Sequence, residues 1–323
     1  MRDPVLACGR SVGALLLALA LVACVGVTAP PAPSSLPAYP QAGLQVYAVG
    51  DIADCGDRRP EDVAAWRTAA LVPDGALVLG LGDMAYPCAD AQTLAACYDP
   101  SWGRHRAATI ATPGNHDYVK GSARDFLQYF AMPVEPVDGF VAFARRLTDD
   151  WLLVALDSNA AGRALQAQHE WLEQTLAREW DGPEATQPRG TQRCLLVMWH
   201  APLYSSGLHR GSGEHMRPAW QLLDAHGADL VLSGHEHFYE RFAPLDADGR
   251  QATGDSGLRQ FVVGTGGARL HGFWRPPYRS SARVLEHGVL QLSLEPGRYS
   301  WRFIDVAGRV RDAGAARCRM ALN

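Results

Sequence analysis

Apolar residues in this chain gather into short runs that break off at polar clusters, and the arrangement recurs five times. The runs are LQVYAVG before Asp51, ALVLGLG before Asp83, ATIATPG before Asn115, CLLVMW before His200, and DLVLSG before His235 and His237. Each reads as a strand. Helix-like segments fall between them. Pro60 suits the first turn of a helix running to Leu71, with Val63, Trp66 and Ala70 on one face. A second helix is expected over 165–179 with Leu165, Leu172 and Leu176 inward, and a third over 217–226, stopped by Gly227. WLLVALD at 151–157 adds a strand. The last third changes character: RQFVVGTGG, HGVLQLSLEPG and RYSWRFIDVAG read as strands broken by glycine turns, the last two as a hairpin. Alternating strands and helices predict an α/β layered fold. In such a fold, loops leaving the carboxyl ends of neighbouring strands open on one side of a sheet, so the five polar clusters can meet there.

The amino terminus departs from this pattern. Arg2 and Arg10 precede an apolar stretch, Val12 to Val22, that is too short to span a bilayer comfortably and reads as a processing signal. It ends in Leu21-Val22-Ala23-Cys24, which resembles the bacterial lipobox, whose cysteine is lipidated and becomes the mature amino terminus; an ordinary secretory peptide is the alternative. Residues 1–23 are thus expected to be a lipoprotein-type signal, and 24–43, rich in Pro, Ala and Ser, an extended tether. The chain would be exported and anchored to a membrane through Cys24, facing the periplasm or cell surface. Residues 44–323 are expected to form a single domain. The 47% hydrophobic and 20% charged content suits one large globular unit, and a net charge of -4 gives no reason to expect nucleic acid as a partner. In an oxidising compartment Cys88 and Cys97, close together in one loop, are the expected disulfide; Cys55, Cys194 and Cys318 are left unassigned. No cysteines form a CxxC pair, which argues against a zinc–thiolate site.

The polar endings carry the chemistry. They read GDIADC at Asp51, GDMAY at Asp83 and Tyr86, GNHD at 114–117, VMWHAPLY at His200, and GHEH at 234–237. Carboxylate, phenolate, amide oxygen and imidazole form a mixed oxygen and nitrogen donor set suited to Fe, Mn or Zn. Any one cluster can be an ordinary turn. Five in this order, each at the end of an apolar run, are hard to explain that way.

The arrangement resembles the calcineurin-like metallophosphoesterases, and within them the purple acid phosphatases, including small bacterial members. The resemblance implies an α/β/β/α sandwich with a binuclear metal site. Asp51, Tyr86 and His237 would bind the first ion, Asn115, His200 and His235 the second, and Asp83 would bridge them. The broad superfamily commonly has D-x-H in its first motif, where this chain has Ala53; Tyr86 stands where purple acid phosphatases carry a metal-binding tyrosinate. A hard phenolate implies Fe(III) in the first position, with Fe(II), Zn(II) or Mn(II) in the second. Two ions about 3.5–4 Å apart clamp phosphate oxygens and lower the pKa of a bound water, so the implied activity is hydrolysis of small phosphate monoesters by attack of metal-bound hydroxide. A phosphodiesterase on the same metals and a non-catalytic lipid-anchored binding protein are the alternatives.

Beside the ligands, His116 is expected to face the substrate phosphate. Asp117 is expected to orient the His116 imidazole or to fix its loop. The resemblance makes His209 the candidate acid for the leaving alkoxide, with Arg210 as a possible phosphate donor. Tyr239, Glu240 and Arg241 match the family's HxYER ending and are expected to support the metal loop. His105, His169, His226 and His287 lie outside the clusters and read as structural, whereas His215 and His271 are left open. The segment 264–281, with Trp274, Arg275, Tyr278 and Arg279, is either a substrate wall or a plain surface loop.

Overall fold

The computed structural model describes residues 43–56, 58–132, 139–181, 193–209, 212–276 and 279–319. The expected signal and tether, Cys24, Arg210 and Tyr278 lie outside the described residues. Two sheets are built from β1 (Leu44–Val49), β2 (Leu77–Gly80), β3 (Thr109–Ala111), β4 (Phe143–Arg146), β5 (Trp151–Ala155), β6 (Cys194–Met198), β7 (Leu230–Ser233), β8 (Tyr239–Phe242), β9 (Arg259–Val263), β10 (Ser280–Val284), β11 (Gly288–Glu295), β12 (Arg298–Asp305) and β13 (Val310–Arg317). The first sheet runs β13-β12-β11-β1-β2-β3, and the second β10-β8-β9-β7-β6-β5-β4. β11 and β12 form the expected hairpin, and β11 lies antiparallel against β1, so the last strands complete the sheet that the first strand begins.

The unbroken apolar runs follow from burial on both strand faces. In β5, Trp151, Leu153 and Ala155 face the other sheet, while Leu152 and Val154 meet the outer helices. β6 repeats the alternation, with Leu196 and Met198 inside and Leu195 and Val197 outside. In β1, Val46 and Ala48 join the central core, whereas Tyr47 and Val49 pack under the helices covering the first sheet. The result is an α/β/β/α sandwich. Each fully buried Leu, Val or Ile contributes about 1.5–3 kcal/mol, which favours this four-layer arrangement over any that exposes one face of these strands.

Three details differ from the sequence expectation. The first helix spans only Ala64–Ala69, after a separate turn at Pro60–Asp62. Val63 between them is extended, with φ -99° and ψ 158°, so the periodicity counted from Pro60 loses phase. Trp66 consequently points outward, 45% exposed, while Ala65, Thr68 and Ala69 are buried. The second helix runs Arg163–Thr175 and continues through a wider turn at Leu176–Trp180, burying Leu172 and Leu176. Finally, Cys97 is bonded to Cys55 and not to Cys88, with Cα atoms 5.9 Å apart. Cys97 sits in the helical turn Leu94–Tyr98, which packs with Cys55 in one core cluster. Nearness in sequence to Cys88 did not decide the partner. Cys194 and Cys318 form a second bridge, tying the start of β6 to the segment after β13.

Candidate metal centre

β1, β2 and β3 are parallel, as are β6 and β7. Their carboxyl ends therefore open in common directions, and the five polar clusters stand just beyond them. The turns are tight. Asp51, Asp83 and His235 have φ of 58°, 53° and 70°, left-handed conformations that cost a non-glycine residue about 1 kcal/mol or more. The packing around them holds these angles. A Cβ added to Gly114 would lie 2.1 Å from Asp83 Oδ1, and one on Gly82 would lie 2.5 Å from His200 Nδ1, so only glycine lets these loops approach.

The donor atoms converge in two groups that share one carboxylate oxygen. Tyr86 Oη lies 2.8 Å from Asp51 Oδ1, 3.0 Å from Asp83 Oδ2 and 3.2 Å from His237 Nε2. His237 Nε2 is itself 3.2 Å from Asp51 Oδ1. On the other side His200 Nε2 lies 3.3 Å from the same Asp83 Oδ2, 3.2 Å from Asn115 Oδ1 and 3.2 Å from His235 Nδ1. Asp83 thus occupies the bridging place between the sets Asp51/Tyr86/His237 and Asn115/His200/His235.

The surroundings aim these atoms. His200 Nδ1 pairs with the Leu81 carbonyl at 2.7 Å and His237 Nδ1 with the Arg269 carbonyl at 2.8 Å, which leaves each Nε2 directed into the site. Asp51 Oδ2 accepts the His235 N–H, and Asp83 Oδ1 accepts the His116 N–H. Electrostatics point the same way. Burial lowers His235 to about 3, helped by His200 and opposed by Asp83 and Asp51, so its imidazole is held neutral. Burial also opposes charge on His200, but Asp83 and Asp51 outweigh it and raise that imidazole to about 10. Burial, then Asp51 and Asp83, push the Tyr86 phenol well above its ordinary range. With Asn115 Oδ1 and Asp83 Oδ2 facing His200 Nε2, and two carboxylates facing the Tyr86 phenol, the site draws positive charge, which protons on these two groups supply when no cation is bound. Two cations fit this donor set.

His116 stands at the mouth. Its Nδ1 meets the Pro87 carbonyl at 2.5 Å, and its Nε2 reaches to 4.0 Å from Asp83 Oδ2. Asp117 is placed differently from a catalytic residue. Fully buried, it accepts the backbone N–H groups of Asp83, Met84 and Gly114 at 2.7, 3.0 and 2.7 Å. Its carboxylate locks the loops at 83 and 114 together, and the imidazole of His116 is oriented by the Pro87 carbonyl instead. His209 enters from the loop after His200, its ring 5.1 Å from that of His235 and 5.4 Å from that of His271.

Two residues gain importance only in three dimensions. The His271 ring stacks on that of His237 at 4.1 Å, and the His271 backbone N–H donates to the His237 carbonyl. Glu236, between His235 and His237, is fully buried against the His209 loop. The 264–276 stretch borders this side: the Trp274 N–H donates to the Ser206 carbonyl at 3.0 Å, while the indole remains 68% exposed. Behind the site, Glu240 accepts the Ser206 N–H and hydroxyl at 2.9 and 2.7 Å. Tyr239 and Arg241 both bind Asp312 on β13. His105 is buried against the Ala69 carbonyl, and His215 pairs with the Ser158 carbonyl, so both are structural in position.

Comparison with known proteins agrees with this geometry. The family model for calcineurin-like phosphoesterases matches residues 44–239. Purple acid phosphatase 22 of Arabidopsis thaliana is 34% identical over 144 residues, covering 42% of this chain and 30% of that protein. A phosphoenolpyruvate phosphatase of Allium cepa is 29% identical over 185 residues, covering 52% of this chain and 36% of that one. The chain spans well under half the length of the curated relatives it matches. In fold it is similar to a purple acid phosphatase from yellow lupin seeds, with a TM-score of 0.61 at 19% identity over 86% of this chain and 55% of the lupin chain. With the family model covering all five polar clusters, this chain belongs to the calcineurin-like phosphoesterase family and within it is similar to purple acid phosphatases.

Proposed function

We propose that the chain is a binuclear-metal hydrolase of phosphate monoesters, with Fe(III) in the Tyr86 position and Fe(II), Zn(II) or Mn(II) in the Asn115 position. The observation that carries this is the single oxygen, Asp83 Oδ2, within 3.0 Å of the Tyr86 hydroxyl and 3.3 Å of His200 Nε2. When bound, two such ions supply charge against the phosphate oxygens and a water of lowered pKa. The protein's own groups do the rest. His116, with Nδ1 held by Pro87, presents Nε2 to a phosphate oxygen. His209 passes a proton from its ring to the leaving oxygen as the P–O bond breaks, which matters most for poor alkoxide leaving groups. Asp117 keeps the 83 and 114 loops in register so that the ligand atoms hold their spacing.

Metal analysis combined with paired phosphate esters tests the reading. Two ions per chain and faster turnover of a monoester than of the matching diester are expected. Preference for the diester would make the chain a phosphodiesterase, and two ions without hydrolysis would support a binding protein. The monoester reading is favoured by the names of the curated relatives, acid and purple acid phosphatases among them.

Export and lipidation belong to the same proposal. They rest on the Leu21-Val22-Ala23-Cys24 sequence and the Pro-rich stretch after it. Wild type is expected to partition with membranes, and Cys24→Ala to yield uncleaved precursor or soluble protein. An unmodified Cys24 inside a longer mature chain would sink the anchor.

A further inference from the structure

The GHEH motif places an acidic side chain between two ligands, and the metal geometry does not use it. Glu236 is fully buried, where a carboxylate is costly unless it is paired. Its polar neighbours come from one loop. Ser205 Oγ donates to Glu236 Oε1 at 3.1 Å and accepts the Gly207 N–H at 2.8 Å. A Cβ on Gly207 would lie 2.1 Å from Glu236 Oε2, so the loop backbone rests directly on the carboxylate. Two residues further on, His209 brings Nδ1 to 3.7 Å from the same Oε2.

We propose that Glu236 is a positioning residue for His209. The carboxylate takes the Nδ1–H of the imidazole and so turns Nε2 toward the leaving oxygen. This rests on His209 acting as the acid. When the P–O bond breaks, the proton on Nε2 goes to the departing alkoxide and Nδ1 keeps its own, facing Glu236. A separation of 3.7 Å suits this role, because catalytic hydrogen bonds are often long without substrate and tighten when it binds. The neighbouring ring of His271 offers a competing use, since His209, Glu236 and His271 together could hold a cation.

The experiment compares His209→Ala, Glu236→Ala, Glu236→Gln and the double alanine variant on an alkyl ester, glycerol phosphate, and an activated aryl ester, 4-nitrophenyl phosphate. Metal content and thermal melting are measured on each protein. Glu236→Ala is expected to lower kcat on the alkyl ester by roughly 10–100-fold, a larger loss than on the aryl ester, with KM and metal content held. Added to His209→Ala, it should cost nothing further, the non-additivity expected of one acting through the other. Glu236→Gln should retain part of the rate, because its amide oxygen still accepts Nδ1–H. Equal losses on both esters, additive losses in the double variant, or a third metal equivalent that Glu236→Gln removes would each overturn the inference. If His209→Ala shows the leaving-group preference and Glu236→Ala does not, this inference alone fails. If His209→Ala shows none, the acid assignment falls first and this one with it.

Discussion

Asp83→Ala is expected to abolish hydrolysis and to strip both metal positions together. Losses in the groups that merely orient a ligand cost about 10–100-fold, and Asp83 is shared by both donor sets, so a fall of at least roughly 10³-fold in kcat/KM is expected. The side chain has three jobs. Oδ2 faces Tyr86 and His200, Oδ1 accepts the His116 N–H, and its charge outweighs the burial that opposes a protonated His200. Asp83→Asn is the control for shape, since it keeps the volume and removes the charge. Metal analysis after gel filtration, with a thermal melt to confirm folding, gives the answer. His237→Ala should weaken the Tyr86-side position preferentially. Two ions and near-normal turnover in Asp83→Ala would refute the bridging role.

Tyr86→Phe is expected to remove the visible absorption of the iron-loaded protein while leaving the fold intact. The phenol oxygen lies between Asp51, Asp83 and His237, and burial and the two carboxylates push its pKa well above the ordinary range while no cation is bound. Fe(III) bound to phenolate absorbs visible light by charge transfer, whereas a phenol in ordinary packing does not. Phe keeps the ring and its 4.5 Å contact with His116, so a loss of colour reports on the oxygen alone. Activity should fall as well, because Ala53 stands where other superfamily members supply a histidine. A colourless iron-loaded wild type, or an unchanged spectrum and rate in Tyr86→Phe, would leave the first position without its fourth donor.

Much of this was legible along the chain because it is local. A short run of Val, Leu and Ile followed by Gly-Asp, Gly-Asn or Gly-His specifies a buried strand and the turn beyond it through residues next to one another, and five such units announced the layers and the polar side chains that converge beyond them. Glycines 82 and 114 belong to the same local signal, since their loops approach neighbouring ligands too closely for a side chain. Of the HxYER residues expected to brace the metal loop, only Glu240 reaches the loop after His200, while Tyr239 and Arg241 bind Asp312 on β13. What the sequence did not specify depended on which distant segments meet. The extended Val63 shifted the phase of the first helix and turned Trp66 outward. Cys97 took Cys55 over its nearer neighbour because helical packing set the partner. Asp117 and Glu236 look alike as acidic residues beside metal ligands, yet one is surrounded by backbone N–H groups and the other lies under His209. Hydrophobic pattern and turn chemistry therefore indicated most of the core strands and the polar side chains at their ends, but not β4, β8, β10 or β13. The tertiary structure alone decided the shared oxygen of Asp83, the disulfide pairing and the roles of the buried carboxylates, because each depends on distances between segments far apart in the chain.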